Sequence, residues 1–191
     1  MKKLLISTAL VFASTPLLAT ESPQWNTASI SYQKTDADDA DFRGFALDGT
    51  VLVNENVYLT GDASSTSDDV RGLDIDYRRF SLGVGYQFAV NETTDFFTQL
   101  TYEDLSLKAS RNNDYLEIDG NGYGVTAGLR SMYYDRVEML GSVGFVEIEN
   151  DEELEFTIGA KYHFNDQFSA GVEYNKLDEF RTTSLKLTYA F

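Results

Sequence analysis

The chain ends in the segment Thr-Ser-Leu-Lys-Leu-Thr-Tyr-Ala-Phe, residues 183–191, in which every second side chain is apolar. Successive side chains of a β-strand point to opposite faces of the sheet. The apolar face therefore carries Leu185, Leu187, Tyr189 and Phe191, and the other face carries polar or small residues. This segment predicts a strand that separates two environments of different polarity.

The same alternation recurs through most of the chain and predicts an all-β fold. Aromatic residues are abundant, with 12 Tyr and 13 Phe, and aromatic side chains suit a pleated surface. Ten strands are predicted, or eight if the second and third, which alternate least regularly, are partly loop. The ten segments are 25–34, 43–53, 57–65, 77–89, 95–106, 120–130, 137–146, 154–164, 168–176 and 182–191.

The predicted connections alternate between two kinds. Short links with turn-forming residues lie at 54–56, 91–94, 134–136 and 165–167. Polar and acidic loops, most of them longer, are predicted at 35–42, 65–76, 107–119, 147–153 and 177–181. Short turns at one end, longer loops at the other and about 9–11 residues per strand are typical of an antiparallel, up-and-down transmembrane β-barrel. With both termini at one end the strand number is even, as ten or eight would be.

The first residues predict export. Lys2 and Lys3 precede an apolar stretch from residue 4 to 13, which is too short to span a bilayer, and Pro16 follows. We expect a signal peptide at 1–19 with cleavage after Ala19, or alternatively after Ala13, and a barrel domain at 20–191. After the leader, no uninterrupted apolar run exceeds three residues.

Composition excludes several classes of function. The formal net charge of −16 argues against a nucleic-acid partner, because no basic surface is available to displace counterions from phosphate. The absence of cysteine excludes disulfides and thiolate metal sites. His163 is the single histidine, so a site with several histidines is excluded as well. We predict no cofactor.

The polar faces of the strands carry charges and glycines, and this distinguishes a barrel lumen from the dry core of a soluble β-sandwich, which is the alternative. Paired charges and small residues suit a narrow interior that side chains fill. The glycines are Gly83, Gly85, Gly122, Gly124, Gly128, Gly159 and Gly171. We predict a lumen charge network of Asp62, Arg79, Glu103, Arg130, Glu138, Glu155, Lys161, Glu173 and Lys186, with Asp48 on the same face.

The terminal Phe191, with apolar residues at every second position before it and the polar Ser184 upstream, resembles the assembly signal of Gram-negative outer-membrane barrels. Lys186 stands where that signal commonly has glycine. The whole chain resembles the small outer-membrane β-barrel group that includes OmpA barrel domains and OmpX-like and opacity-type proteins. The resemblance implies location in the bacterial outer membrane and insertion by the barrel-assembly machinery, and it implies no single activity.

Three further features bear on function. His163 is expected inside the barrel near the periplasmic rim, where a structural role is favoured over catalysis. Aromatic residues with outward parity are expected at the membrane interfaces. The acidic segments are expected to be solvated surface, with weak binding of divalent cations as a hypothesis. Their carboxylates are Asp36, Asp38, Asp39 and Asp41; Asp68, Asp69, Asp74 and Asp76; and Glu147, Glu149, Asp151, Glu152 and Glu153.

These observations favour a monomeric barrel with a largely filled lumen and a structural or surface-interaction role, such as adhesion or resistance, through its acidic extracellular segments. Membrane lipid and lipopolysaccharide are its expected surroundings. The alternative is a narrow, cation-preferring or small-solute channel resembling a porin, because acidic groups outnumber basic groups in the predicted lumen. An outer-membrane enzyme is disfavoured.

Overall fold

Ten antiparallel strands form a closed barrel in the computed structural model, which describes residues 22–37, 40–70, 72–111, 114–149 and 151–191. Each strand pairs with its neighbours in sequence, and β1 closes the barrel against β10. The predicted up-and-down barrel is confirmed, with ten strands rather than eight, and the predicted leader lies outside the described residues. The strands are β1 Thr27–Ala37, β2 Ala40–Leu52, β3 Val57–Val70, β4 Leu73–Asn91, β5 Thr94–Arg111, β6 Asp114–Tyr133, β7 Val137–Ile148, β8 Asp151–His163, β9 Phe168–Leu177 and β10 Phe180–Ala190.

The outer surface of the barrel carries a broad apolar band. Leu47, Leu82 and Ile158 are 60%, 57% and 63% exposed, and similar side chains project from every strand at this level. In water an exposed apolar band of this size would cause the protein to associate, whereas in the hydrocarbon core of a bilayer its exposure is favourable. The band therefore marks the part of the barrel that contacts lipid. Among the described residues, no helix is long and apolar enough to cross a bilayer.

Aromatic pairs border the apolar band at both ends. At the end that carries the short turns, the ring centroids of Phe168 and Tyr189 are 5.2 Å apart. At the opposite end, Tyr102 and Tyr123 face each other across β5 and β6 at 6.0 Å. Amphipathic rings favour the headgroup level of a bilayer. The two belts therefore delimit the membrane-spanning height, and we assign the polar strand ends beyond Tyr102 and Tyr123, opposite the short turns, to the extracellular side.

Asparagine side chains close three of the four short turns. The Asn54 Oδ1 accepts hydrogen bonds from the backbone N–H groups of Asn56 and Val57, at 2.9 and 2.8 Å. Asn165 and Asn91 cap the β8–β9 and β4–β5 turns in the same way. An Asn side chain that accepts from the backbone two or three residues later stabilises a tight turn. The predicted short turns are confirmed.

The extracellular connections differ from the prediction. The acidic segments expected to be long loops continue as paired strands, so that β5 and β6 remain in register up to Arg111 and Asp114, and Gly72, with a φ of 76°, lies at the end of the β3–β4 hairpin. Pairing persists because alternation of apolar and polar residues persists there. We call residues 73–79 of β4, 104–111 of β5 and 114–121 of β6 the projecting sheet, since β7 ends at Ile148, opposite Gly122.

Glycines on the inner face leave room for large side chains. A Cβ atom on Gly85 would lie 2.1 Å from Cζ of the fully buried Tyr58 ring. A Cβ on Gly128 would lie 2.7 Å from Cζ of Phe97. The lumen at these positions is filled by aromatic rings that pack directly onto strand backbone.

Candidate functional site

The charged residues predicted to share the inner face all line the lumen, and most of them meet in ion pairs. They are supplied by nearly every strand of the barrel, from β2 to β10. The pairs form at three levels, which are described below from the extracellular end to the periplasmic end. The lumen residues are Asp48, Asp62, Arg79, Glu103, Arg130, Glu138, Glu155, Lys161, Glu173 and Lys186.

At the extracellular level, Arg79 of β4 bridges the lumen. Its Nε donates to Glu103 Oε2 on the adjacent β5 at 3.0 Å, and its Nη1 donates to Glu155 Oε1 on β8 at 3.3 Å. Thr101 and Asn175 donate to the same two carboxylates. Because β4 and β8 lie on different sides of the closed barrel, this network crosses the lumen.

In the middle of the lumen, the Lys186 ammonium lies 3.0 Å from Asp48 Oδ1 and 3.1 Å from Glu173 Oε2. Asp48 and Asp62 are directly opposite each other on β2 and β3. Among the described residues none forms an ion pair with Asp62. This level therefore keeps a carboxylate with no direct cationic partner.

At the periplasmic level, Glu138 of β7 is the centre of a network of three basic side chains. Its Oε1 lies 2.7 Å from Arg130 Nη2 and 3.2 Å from Lys161 Nζ, and its Oε2 lies 3.1 Å from His163 Nε2. The Glu138 side chain is only 1% exposed. A buried carboxylate is retained when partners of this kind replace its hydration.

Trp25, which precedes β1, lies inside the periplasmic mouth and packs with Tyr58 and Phe97. Its ring centroid is 4.6 Å from that of Tyr58 and 5.8 Å from that of Phe97. Its Nε1 donates to Asp95 at 2.8 Å, and the Arg130 guanidinium lies 4.4 Å above its ring. This aromatic plug is not among the predicted features, although residue 25 shares the inward parity of Thr27 and Ser29 and could have been assigned from it.

The lumen contains a partly open cavity of about 340 Å³, which is lined mostly by polar side chains from all sides of the barrel and extends from Trp25 to Tyr77 and Phe180. Towards the extracellular mouth, Tyr77 stacks on Phe180 with ring centroids 5.9 Å apart. Phe42, which is buried, lies 6.4 Å from Tyr77. Aromatic rings therefore narrow the lumen at both ends of the cavity.

His163 lies on the inner face near the periplasmic rim, at the position that its parity predicts. The residue is 7% exposed, and its Nε2 faces Glu138, which also binds Arg130 and Lys161. A general base must reach a nucleophile and be oriented by a third group. The Nε2 atom of His163 is engaged in a structural ion network instead.

The acidic segments surround the extracellular end. In the first, Lys34 binds Asp36 and also lies 3.4 Å from Asp41. Asp38 and Asp39 of that segment lie outside the described residues. Within the described part of the chain, no group of three or more His, Cys, Asp or Glu residues is arranged to hold a metal ion.

Four of the five residues assigned to the assembly signal lie on the closing strand β10, and the fifth, Phe191, directly follows it. Leu185, Leu187 and Phe191 are 59%, 50% and 60% exposed on the lipid-facing side, and Ser184 is buried on the lumen side. Tyr189 contacts both Phe168 and Phe191.

A closed barrel with a lipid-facing apolar band, two aromatic belts and a polar lumen is the structure of an integral outer-membrane β-barrel protein. The chain belongs to the family of outer membrane protein beta-barrel domains, whose model matches residues 5–191. Its location is the bacterial outer membrane.

Solved structures are similar to this chain at low sequence identity. The NanC porin is 8% identical with a TM-score of 0.54, over 86% of this chain and 100% of that one. The attachment invasion locus protein Ail of Yersinia pestis is 18% identical with a TM-score of 0.42, over 86% and 96%. The N-terminal barrel domain of Pseudomonas aeruginosa OprF is 11% identical with a TM-score of 0.45, over 88% and 100%. Comparison with curated proteins gives no match.

Proposed function

We propose that this protein is a closed-lumen outer-membrane barrel that acts at the cell surface through its acidic extracellular strand ends, in an adhesion-like or resistance-like role. The observation that carries the proposal is the crossing of the lumen at two levels. Arg79 reaches Glu155 at the extracellular level, and Trp25 packs on Tyr58 and Phe97 at the periplasmic level. Barrels of about eight to ten strands have little free bore even before such side chains are added.

The charges at the two ends of the molecule support the same role. The buried ions at the extracellular and periplasmic lumen levels are paired, and opening either of these levels would expose charges that now stabilise each other. The extracellular hairpins, in contrast, present solvated carboxylates to the outside. The parts of the molecule able to meet a partner therefore lie beyond the membrane.

Single-channel conductance of the refolded protein in planar bilayers tests the proposal, first in KCl and then in CaCl₂. We expect the folded wild-type barrel to be silent. The double variant Trp25→Ala/Arg79→Ala, which removes one side chain from each level, serves as the opened control and should give measurable steps. Discrete steps from the wild-type protein would refute the closed-lumen proposal.

A specific observation favours a second candidate, a narrow cation-preferring pore. Carboxylates outnumber basic groups around the cavity, and Asp62 has no ion-pair partner among the described residues. If the wild-type protein conducts, Asp62→Asn should reduce its preference for cations. An unchanged selectivity would place the conducting path away from Asp62.

The partners follow from the same surfaces. We propose that lipid and lipopolysaccharide contact the apolar band and that the barrel-assembly machinery recognises the β10 residues during insertion. We also propose that the protein acts as a monomer, and that weak divalent-cation binding is confined to the acidic extracellular segments. His163 is assigned a structural role because its Nε2 faces Glu138 within the ion network.

A further inference from the structure

One level of the outer surface, directly beyond the apolar band on the extracellular side, carries different charges on the two halves of the barrel. On each strand this level holds the first outward-facing residue beyond the apolar band. On β1 it is Lys34, which follows the outward-facing Tyr32, and on β5 it is Asp104, which follows the outward-facing Tyr102. Two residues of a strand span about 7 Å, so this level lies at the height of the lipid headgroups.

On one half of the barrel the level is basic. Five of its six strands, β9, β10, β1, β2 and β4, carry Lys or Arg there, β3 carries Ser65, and the six are neighbours in the closed barrel. Neighbouring strands are about 4.8 Å apart, so the basic residues extend over roughly 24 Å. We call them the basic arc: Lys34, Arg43, Arg78, Lys176 and Arg181.

On the other half of the barrel the same level is acidic or neutral. Asp104 of β5, Glu147 of β7 and Glu152 of β8 occupy it, together with Asn121 of β6. All four are exposed on the outer face. The two halves therefore offer opposite electrostatic surroundings to the lipids beside them.

Two cross-strand pairs within the basic arc oppose like charges. Lys34 of β1 is the partner of Arg43 of β2, and Lys176 of β9 is the partner of Arg181 of β10. Like charges directly opposite each other destabilise an antiparallel pair. An anion between the two side chains would remove this repulsion.

The chain itself supplies little compensation for these charges. Lys34 binds Asp36, but within the described part of the chain no ion pair involves Arg43, Arg78 or Lys176. All three of these side chains belong to exposed residues. The basic arc is thus a local exception to the net charge of −16.

The surroundings of the basic arc select the source of the anion. The next outward-facing residues beyond it are acidic and include Asp36, Asp41 and Asp76, whereas the apolar band lies on its other side. A polyanion from solution would have to pass these carboxylates. The phosphate of a membrane lipid already lies at this level, with its acyl chains against the apolar band.

We propose that the basic arc binds the phosphate groups of an anionic lipid headgroup in the extracellular leaflet. Arginine and lysine form strong, charge-assisted hydrogen bonds with phosphate oxygens, and clustered basic residues at a membrane surface attract anionic headgroups. Because the basic arc covers one half of the circumference, such lipid binds on the side of β9, β10 and β1 to β4. The inference rests on the proposed contact between lipid and the apolar band, and it adds where the headgroup is held.

The test uses the full chain refolded in a zwitterionic detergent. Diphosphoryl lipid A is the probe, and native mass spectrometry counts the lipid molecules that the folded barrel retains. We expect retention of lipid A at concentrations at which phosphatidylcholine is not retained. Inorganic phosphate at the same phosphate concentration should not displace lipid A, because it has no acyl chains to lie along the apolar band.

Matched variants with the same change of net charge locate the site. Arg43→Gln/Lys176→Gln should weaken lipid A binding about tenfold, because two charge-assisted contacts are lost. Lys108→Gln/Arg111→Gln removes two cations from the projecting sheet, beyond the basic arc, and should bind like the wild type. Arg78→Gln should give a smaller loss in the same direction and provides a second route to the site if the first double variant does not fold.

Three outcomes would overturn the proposal. These are unchanged retention of lipid A by the folded Arg43→Gln/Lys176→Gln variant, an equal loss in Lys108→Gln/Arg111→Gln, and displacement of lipid A by inorganic phosphate. Equal retention of phosphatidylcholine would also refute it, while leaving the contact between lipid and the apolar band intact. A wild-type barrel that retains neither lipid would count against that contact itself, and none of these measurements depends on conductance.

Discussion

At the scale of single residues, Glu138 is expected to contribute strongly to the stability of the barrel through its buried carboxylate. It is buried, and Arg130, Lys161 and His163 all face its carboxylate. Replacing it with glutamine keeps the shape of the side chain and leaves three basic groups without their anion. We expect Glu138→Gln to lower the free energy of unfolding by about 3–5 kcal/mol.

Urea unfolding of the protein in lipid vesicles, followed by the mobility difference between folded and heated barrel on gels, measures this change. Glu152→Gln is the matched control, because Glu152 is exposed at the extracellular end of β8. Its effect should stay within about 0.5 kcal/mol. Equal stability of the two variants would contradict the role assigned to the Glu138 network.

Gly85 provides a second residue-scale prediction. The ring of Tyr58 occupies the place that a Cβ atom on Gly85 would need. Gly85→Ala should therefore destabilise the barrel by about 1–3 kcal/mol through overpacking. A Cβ on Gly141, in contrast, would meet no atom within 4 Å, so Gly141→Ala should leave stability unchanged. Denaturant midpoints of the two variants, compared side by side, decide the matter.

At the scale of strands, the turns and the faces within the membrane could be predicted from sequence, but the extracellular strand ends could not. Asn54 and Asn165 marked turns because an asparagine side chain closes a turn locally. The segments 65–76 and 107–119 looked like loops because charged and small polar residues make up most of their composition. The apolar residues that hold them in strands, such as Leu107 and Ile118, have shifted parity, and a search for one continuous alternation ends where the parity shifts.

A shortened projecting sheet tests whether these strand ends contribute to the barrel. Ser106 and Asp119 are cross-strand partners, so replacing residues 107–118 with Asn-Gly reconnects them through a tight hairpin turn. We expect the shortened chain to fold with an unfolding free energy within about 0.5 kcal/mol of the wild type, since the removed residues pack outside the membrane-spanning barrel. A barrel that no longer assembles would show that the strand ends are required for folding.

At the scale of the whole molecule, barrel closure and strand number could be predicted from patterns that repeat along the chain. The plug formed by Trp25 could not. Alternation is present in every strand, so a prediction based on it remains correct when individual positions depart from the pattern. The position of Trp25 inside the mouth depends on the closure that brings it to Asp95, Phe97 and Arg130, all of which are far from it in sequence. Which lumen charges pair across the barrel, such as Arg79 with Glu155, depends on the same closure.

The orientation of the molecule in the membrane can be tested with single introduced cysteines, because the sequence contains none. Glu117→Cys lies on the projecting sheet, and Glu55→Cys lies in the β2–β3 turn; both native side chains are exposed. On intact cells, a maleimide linked to a polyethylene glycol too large to pass porins should label the cysteine at 117 and not the one at 55. Both should react after the outer membrane is disrupted, and the reverse labelling would invert the assigned topology.

Trp25 is the single tryptophan of the chain, and it lies behind the wall of the barrel against a guanidinium and a carboxylate. The native protein therefore carries its own optical reporter of closure. Its fluorescence should change only when β1 has met β10 and the periplasmic mouth has formed, later than any signal from strand insertion alone. Bromine atoms on lipid acyl chains should quench this emission only weakly in the folded barrel, because the indole then lies inside the lumen. The same indole therefore distinguishes a chain that has inserted into the bilayer from one whose barrel has closed.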